Sequence, residues 1–213
     1  MKIDYSLYLC TNREVINGKS LIDCVEEAIL GGVGIVQIRE KNAEANDFIQ
    51  LVKDIQTITN KYQIPLIVND RVDIALATDA SGVHLGQNDM PCKMARKILG
   101  KDKIIGITVT NFAEALKAQE DGADYLGVGA MFKSTMKPEA SVVSLNELKK
   151  IRKNIDLPIV VIGGINNNTI PKFKGINPLG YAMIKSILCN DNIIENTKKI
   201  KKLIDINNNS NNH

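Results

Sequence analysis

The sequence predicts a closed parallel (β/α)8 barrel, a TIM barrel, built as a single α/β domain. Three observations carry this. Eight short apolar runs alternate with amphipathic segments, the repeat is about 25 residues, and several runs end in charged or polar residues. Such a repeat suits βα units with tight connections, and strict alternation eight times over favours closure over an open doubly wound sheet. The open sheet is the structural alternative, weakened because Thr11-Asn12-Arg13 follow the first run where a dinucleotide fold carries a glycine-rich turn.

The strands are expected at 5–10 (YSLYLC), 33–39, 65–69, 82–86, 103–108 (KIIGIT), 124–129 (DYLGVG), 158–163 (PIVVIG) and 179–184 (LGYAMI). Between them, apolar residues at spacings of three and four predict helices over 20–30, 44–61, 71–80, 92–99, 111–122, 144–154 and 167–175, then helical sequence to about 206. Asn111 with Glu114 forms a capping-box pattern, and Gly31-Gly32, Gly82 and Gly122 fall where helices should stop. Residues 1–206 are expected to form the barrel domain. The polar, low-complexity stretch 207–213 (NNNSNNH) is expected to be a disordered tail.

Composition narrows the function. At 213 residues, 44% hydrophobic and 24% charged, the chain can bury a full core. A formal charge of +3, 4% aromatic residues and no Trp leave neither a basic stripe nor a stacking platform, so nucleic acid is not expected as a partner and small molecules are. Cys10, Cys24, Cys92 and Cys189 show no CxxC pair; they are read as small core residues in a reducing compartment. No stretch reaches the ~18 apolar residues that span a bilayer, so no membrane partner and a cytoplasmic location are expected. Oligomeric assembly is left open.

Side-chain alternation sharpens the second strand. Ile35, Gln37, Arg39 and Lys41 share one face, Val36 and Ile38 the other; the outer face of a barrel must be apolar, which sends Gln37, Arg39 and Lys41 inward and up to the C-terminal rim. Two cations there call for an anion. The plain alternative is that Arg39 and Lys41 pair with acids such as Glu40. Asp70 ends the third strand and Asp89 follows the fourth; on strands ~4.8 Å apart both carboxylates reach one small cation, and two oxygens plus substrate phosphates suit Mg²⁺. Taken alone, Asp70 with Asp73 reads as a helix N-cap. His84 is the sole His outside the tail and is read as a core-facing strand residue hydrogen-bonded in the barrel rather than a general base. The loop at 127–140 (GVGAMFKSTMKPEA) offers glycines, hydroxyls and Lys137 to a phosphate, and Gly163-Gly164 with 183–187 (MIKSI) follow strands seven and eight, a recurrent phosphate site of such barrels.

The stretch NDRVDIALATDASGVHLGQNDMP (69–91), with VQIREK (36–41), GADYLGVG (122–129) and IGGI (162–165), resembles the thiamine phosphate synthase family over about residues 5–188. The resemblance implies a (β/α)8 transferase that joins 4-amino-5-hydroxymethyl-2-methylpyrimidine diphosphate to 4-methyl-5-(2-phosphooxyethyl)thiazole, releasing pyrophosphate with Mg²⁺. It implies that Gln37, Ile38, Arg39, Glu40, Lys41 and Asn69 bind the pyrimidine diphosphate, that Asp70 and Asp89 hold Mg²⁺, and that Lys137 contacts the diphosphate. Arg39, Lys41 and Lys137 then carry the catalytic charge. Thr108, Ser134, Thr135, Met136, Gly164, Ile184 and Lys185 fall at the remaining substrate positions. There the chain departs from the family: Ser134-Thr135-Met136 stand for Thr-x-Thr, Thr108 for Ser, and Lys185 for Ser. Two alternatives remain. One is a thiazole tautomerase-like isomerase, which has a His where Val109-Thr110-Asn111 stand and lacks the full acidic pair. The other is a non-catalytic, phosphate-binding relative.

Overall fold

The computed structural model describes residues 3–16, 18–133 and 141–209. Eight parallel strands form one closed barrel: β1 (Leu7–Cys10), β2 (Ile35–Ile38), β3 (Leu66–Asn69), β4 (Gly82–Leu85), β5 (Ile104–Val109), β6 (Tyr125–Val128), β7 (Ile159–Val161) and β8 (Gly180–Met183). Each pairs with its sequence neighbour, and β1 closes on β8 with Leu7 opposite Tyr181 and Leu9 opposite Met183. Every strand falls inside its expected run except β5, which extends one residue further, to Val109.

The outer ring comprises α1 (Leu21–Leu30), α2 (Ala45–Lys61), α3 (Val72–Ala77), α4 (Cys92–Leu99), α5 (Phe112–Glu120), α6 (Leu145–Asn154), α7 (Lys185–Leu188) and α8 (Ile193–Asn209). Ser20, Asn111 and Ser144 cap α1, α5 and α6 by accepting the N–H groups of Asp23, Glu114 and Glu147, each cap being worth about 1 kcal/mol. Glu114 completes its expected box one residue further back than the pattern requires, accepting the Thr110 N–H at 2.7 Å.

Two apolar clusters divide the core. The larger lies between barrel and helices and takes Val36, Ile38, Phe48 and Val68. The smaller fills the barrel with Tyr5, Tyr8, Cys10, Ile35, Ile67, Tyr125, Val160 and Ala182. The alternation expected in β2 is therefore present: Ile35 and Gln37 face in, Val36 and Ile38 out.

Several expectations need correction. The helix expected at 167–175 is a 3₁₀ turn, Ile170–Phe173, because Pro171 stands in its first turn and the chain turns at Gly175, with φ of 81°, leaving too few residues for an α-helix. Gly82 does not stop a helix; it opens β4, where an added Cβ would stand 2.0 Å from the Ile104 carbonyl oxygen. The chain instead turns after α3 at Asp79, with φ of 53°. Helix α8 runs to Asn209 rather than about 206, since Asn207 is buried and donates to the Tyr181 hydroxyl at 3.1 Å; residues 210–213 of the expected tail lie outside the described residues. Cys10, Cys24 and Cys92 are buried as expected, but Cys189 is exposed at the end of α7. Among the described residues no helix is long and apolar enough to cross a membrane.

Candidate active site

The C-terminal rim gathers the charged ends of β2, β3 and β4. Thr11 is fully buried at the end of β1; its N–H donates to the Gln37 carbonyl at 2.9 Å and its hydroxyl accepts the Arg39 N–H at 3.1 Å. This fixes where the chain leaves β2. The expected alternative partner of Arg39 and Lys41 is engaged elsewhere: Glu40 accepts from Arg13 at 2.8 Å. Both cations instead act on Asp70, whose acidity they strengthen.

Asp70 is not a helix cap. Arg71 occupies that position of α3 with no side-chain cap bond, and its guanidinium is forked onto Asp73 at 2.8 and 2.6 Å. The Asp70 backbone is left-handed, with φ of 64°, a conformation Asp tolerates better than most residues. It is held there by the Asp70 N–H donating to the His84 carbonyl at 2.9 Å. Asp89 is anchored in turn by the Gly86 N–H, which donates to its Oδ2 at 2.7 Å. The two carboxyls come within hydrogen-bonding reach of one another. Burial first, then the Asp89 hydrogen bond and charge, push the Asp70 carboxyl up to about 6, against the opposing pull of Lys41 and Arg39. Two neighbouring, partly buried carboxyls on adjacent strands form a donor set fit for a hard cation, and Mg²⁺ takes one or two carboxylates together with substrate phosphates. Among the described residues no group of three or more His, Cys, Asp or Glu gathers to hold a metal ion.

Below the rim, the interior is polar in one continuous line. Gln37 Nε2 donates to the Tyr8 hydroxyl, Tyr8 bonds Tyr125, Tyr125 bonds His84 Nδ1, and His84 Nε2 bonds Thr108 Oγ1, each at 2.8 Å. His84 is thus the hydrogen-bonded barrel residue expected. Room for the rings comes from the facing strands: a Cβ on Gly106 would stand 2.4 Å from the Tyr125 hydroxyl, and one on Gly127 3.0 Å from His84 Cε1. A cavity of about 10 Å³ lies at this level, lined by Tyr8, Cys10, Gln37, His84, Tyr125, Gly127, Val160, Ile162 and Ala182, space for roughly one water. Tyr8, Tyr125 and Thr11 are residues that sequence reasoning missed; the period-two alternation of β1 and β6 was the signal that could have found the tyrosines.

Across the mouth, Asn69 ends β3 two residues after inward-facing Ile67, and so faces the same side. Thr108 lies at the end of β5, its carbonyl accepting from Gln87 at 2.6 Å. Gly164 is left-handed, with φ of 67°, and a Cβ there would stand 2.7 Å from Phe132 Cβ. The loop after β6 approaches this closely because the Phe132 N–H donates to the Gly163 carbonyl at 3.0 Å. Ile184 precedes α7, and Lys185 opens it with an exposed side chain. Ser134, Thr135, Met136 and Lys137 lie outside the described residues. A wider open groove of about 550 Å³ lies beside the rim, lined by Arg13, Glu40, Asp47 and Asp54 among others. Its excess of carboxylates makes it a poor seat for phosphate.

The family model described as thiamine monophosphate synthase matches residues 7–187. The chain belongs to the thiamine monophosphate synthase family. A thiamine-phosphate synthase of Clostridium botulinum (strain Eklund 17B / Type B) is 49% identical over 204 residues, spanning 96% of both chains. One from Clostridium tetani (strain Massachusetts / E88) is 50% identical over 191 residues, 90% of this chain and 91% of that protein. The solved thiamine phosphate pyrophosphorylase of Pyrococcus furiosus superposes with a TM-score of 0.88 at 35% identity, covering 96% of this chain and 97% of that one. In this thiamine monophosphate synthase family member, the rim gathers two cations, Arg39 and Lys41, around the carboxyl of Asp70, with Asp89 beside it.

Proposed function

We infer that the chain is a thiamine phosphate synthase, a transferase that joins the pyrimidine diphosphate to the thiazole phosphate and releases pyrophosphate. The observation that carries the site assignment is the Asp70–Asp89 pair, a carboxyl held up at about 6 beside Arg39 and Lys41. Asp70 and Asp89 would hold Mg²⁺, which when bound supplies positive charge to the departing diphosphate.

Arg39 and Lys41 neutralise the same leaving group, and Lys137 joins them by its match to the family. Gln37 and Asn69 orient the pyrimidine; Ile38, whose side chain packs outward against the helices, and Glu40, tied to Arg13, are left to contribute through their backbone. Departure of the diphosphate leaves a methylene cation stabilised by the ring amino group, and the thiazole nitrogen attacks it. No protein nucleophile is required. Gly164 and the backbone of Ile184 and Lys185 would form the seat for the thiazole phosphate, which Ser134, Thr135 and Met136 join by their match to the family, while Thr108 stands on β5.

Purified protein incubated with both substrates, with and without Mg²⁺, should form thiamine phosphate and pyrophosphate only when the metal is present. Binding of both substrates with no pyrophosphate released would make the chain a binding protein instead. Thiazole isomerisation in the absence of the pyrimidine would make it a tautomerase.

A further inference from the structure

The line of hydrogen bonds through the barrel has a direction. Gln37 Nε2 has only hydrogens to give, so the Tyr8 oxygen accepts there. Burial raises both Tyr8 and Tyr125 well above the usual phenol range, so each keeps its single hydrogen. Tyr8, already accepting, donates that hydrogen to Tyr125; Tyr125 donates its own to His84 Nδ1. With Nδ1 an acceptor, the ring proton of neutral His84 sits on Nε2 and is given to Thr108 Oγ1. Both ends of the line are then determined. At one end the Gln37 nitrogen is turned down into the barrel, leaving Oε1, which has no partner among the described residues, as an acceptor at the mouth. At the other end the Thr108 oxygen is occupied as an acceptor, so its own hydrogen is available to donate.

We propose that Tyr8, Tyr125 and His84 are positioning residues that fix the donor and acceptor pattern of the substrate mouth, presenting Gln37 as an acceptor and Thr108 as a donor. This rests on the transferase reading above. An aminopyrimidine offers hydrogens at its amino group and a lone pair at the adjacent ring nitrogen, so an amide free to rotate would present the wrong group about as readily as the right one. The buried line removes that freedom. Nothing in it touches the reacting atoms, and its members act only through Gln37 and Thr108.

Three measurements test the proposal. In the parent protein with both His residues ¹⁵N-labelled, the His84 nitrogen shifts should report a hydrogen on Nε2; a hydrogen on Nδ1 reverses the line and overturns it, whether or not the protein turns over. Tyr125→Phe removes the central hydroxyl and keeps the ring packing. It should raise KM for the pyrimidine diphosphate about tenfold while kcat stays within about threefold, because the Gln37 contact is made in ground and transition states alike. Tyr8→Phe should do the same, and the double variant should be no worse than either single one, since a line broken once is already broken. Tyr5→Phe is the packing control: its ring lies 5.2 Å from that of Tyr125, but its hydroxyl is no part of the line, so its KM should equal the parent's. Parent KM values in Tyr125→Phe, or equal losses in Tyr5→Phe, would reduce the line to core packing. A parent protein that binds the pyrimidine diphosphate but makes no thiamine phosphate would refute the transferase reading alone; the tautomer and the Tyr125→Phe affinity would still decide the orientation.

Discussion

Arg71, not Asp70, stands at the start of α3, and its guanidinium forks onto Asp73 through two hydrogen bonds of 2.8 and 2.6 Å. A carboxylate at that position normally satisfies helix N–H groups. Released from this duty and turned by a left-handed backbone, Asp70 meets Asp89 instead. The left-handed turn at Asp70, held by its N–H bond to the His84 carbonyl, is thus what brings the acid to the rim.

The pair gives the first prediction. Asp89→Asn keeps an oxygen for the Gly86 N–H but removes one charge, so turnover should fall on the order of a hundredfold with the fold retained. The Asp70 carboxyl titrates at about 6 in the folded chain, above its unfolded value of roughly 3.9. Its contribution to stability is therefore full below the unfolded value and lost as pH rises through about 6. With metal chelated, thermal melts of the parent should lose stability across that window, and Asp89→Asn should lose less, because part of the elevation comes from Asp89. Parallel pH profiles, or unchanged turnover at limiting Mg²⁺, would exclude the shared-cation role.

Lys137 is proposed to act on the departing diphosphate. Lys137→Ala should slow the chemical step by about a hundredfold and leave thiazole phosphate binding nearly intact. Single-turnover kinetics separate the two, and a loss confined to thiazole affinity would contradict the role.

On the thiazole side, Lys185 stands where the family carries Ser, and Met136 where it carries Thr. An ammonium beside a phosphate gives a stronger contact than a neutral hydroxyl, so Lys185 is expected to compensate for the hydroxyl missing at 136. Lys185→Ser should raise KM for the thiazole phosphate and flatten its salt dependence, and Met136→Thr should partly restore affinity in that background. Equal KM and equal salt dependence in parent and Lys185→Ser would rule the compensation out.

Barrel closure gives a prediction independent of chemistry. A Cβ at Gly82 would meet the Ile104 carbonyl oxygen at 2.0 Å, backbone that cannot step aside without parting β4 from β5. Gly82→Ala should cost about 3 kcal/mol, a fall in Tm of roughly 6–12 °C. An unchanged melt would show that the two strands have slack at this point.

The barrel and half of its rim were legible because their signals are local and periodic. β2 announces itself by placing Gln37, Arg39 and Lys41 two residues apart on one face, and the outward Val36 and Ile38 admit no other orientation. The release of Asp70 was not legible, since Asp70 with Asp73 has the spacing of a cap and only the left-handed backbone at Asp70 reverses that reading. Tyr8 and Tyr125 lie inside expected strands with nothing local to mark their hydroxyls, whose bond spans 117 residues of sequence, beyond any local pattern. The end of α8 was missed for the same reason: Asn207 looks like part of a polar tail until its partner Tyr181 comes into view.

The interior tyrosines have a kinetic consequence. Tyr5 and Tyr8 pack at a tilt against Tyr125 with ring centroids 5.2 and 6.0 Å away, all three buried, and so plug the barrel beneath Gln37. A molecule resting on Gln37 would therefore enter and leave by the same C-terminal mouth, since packed rings close the way through the barrel.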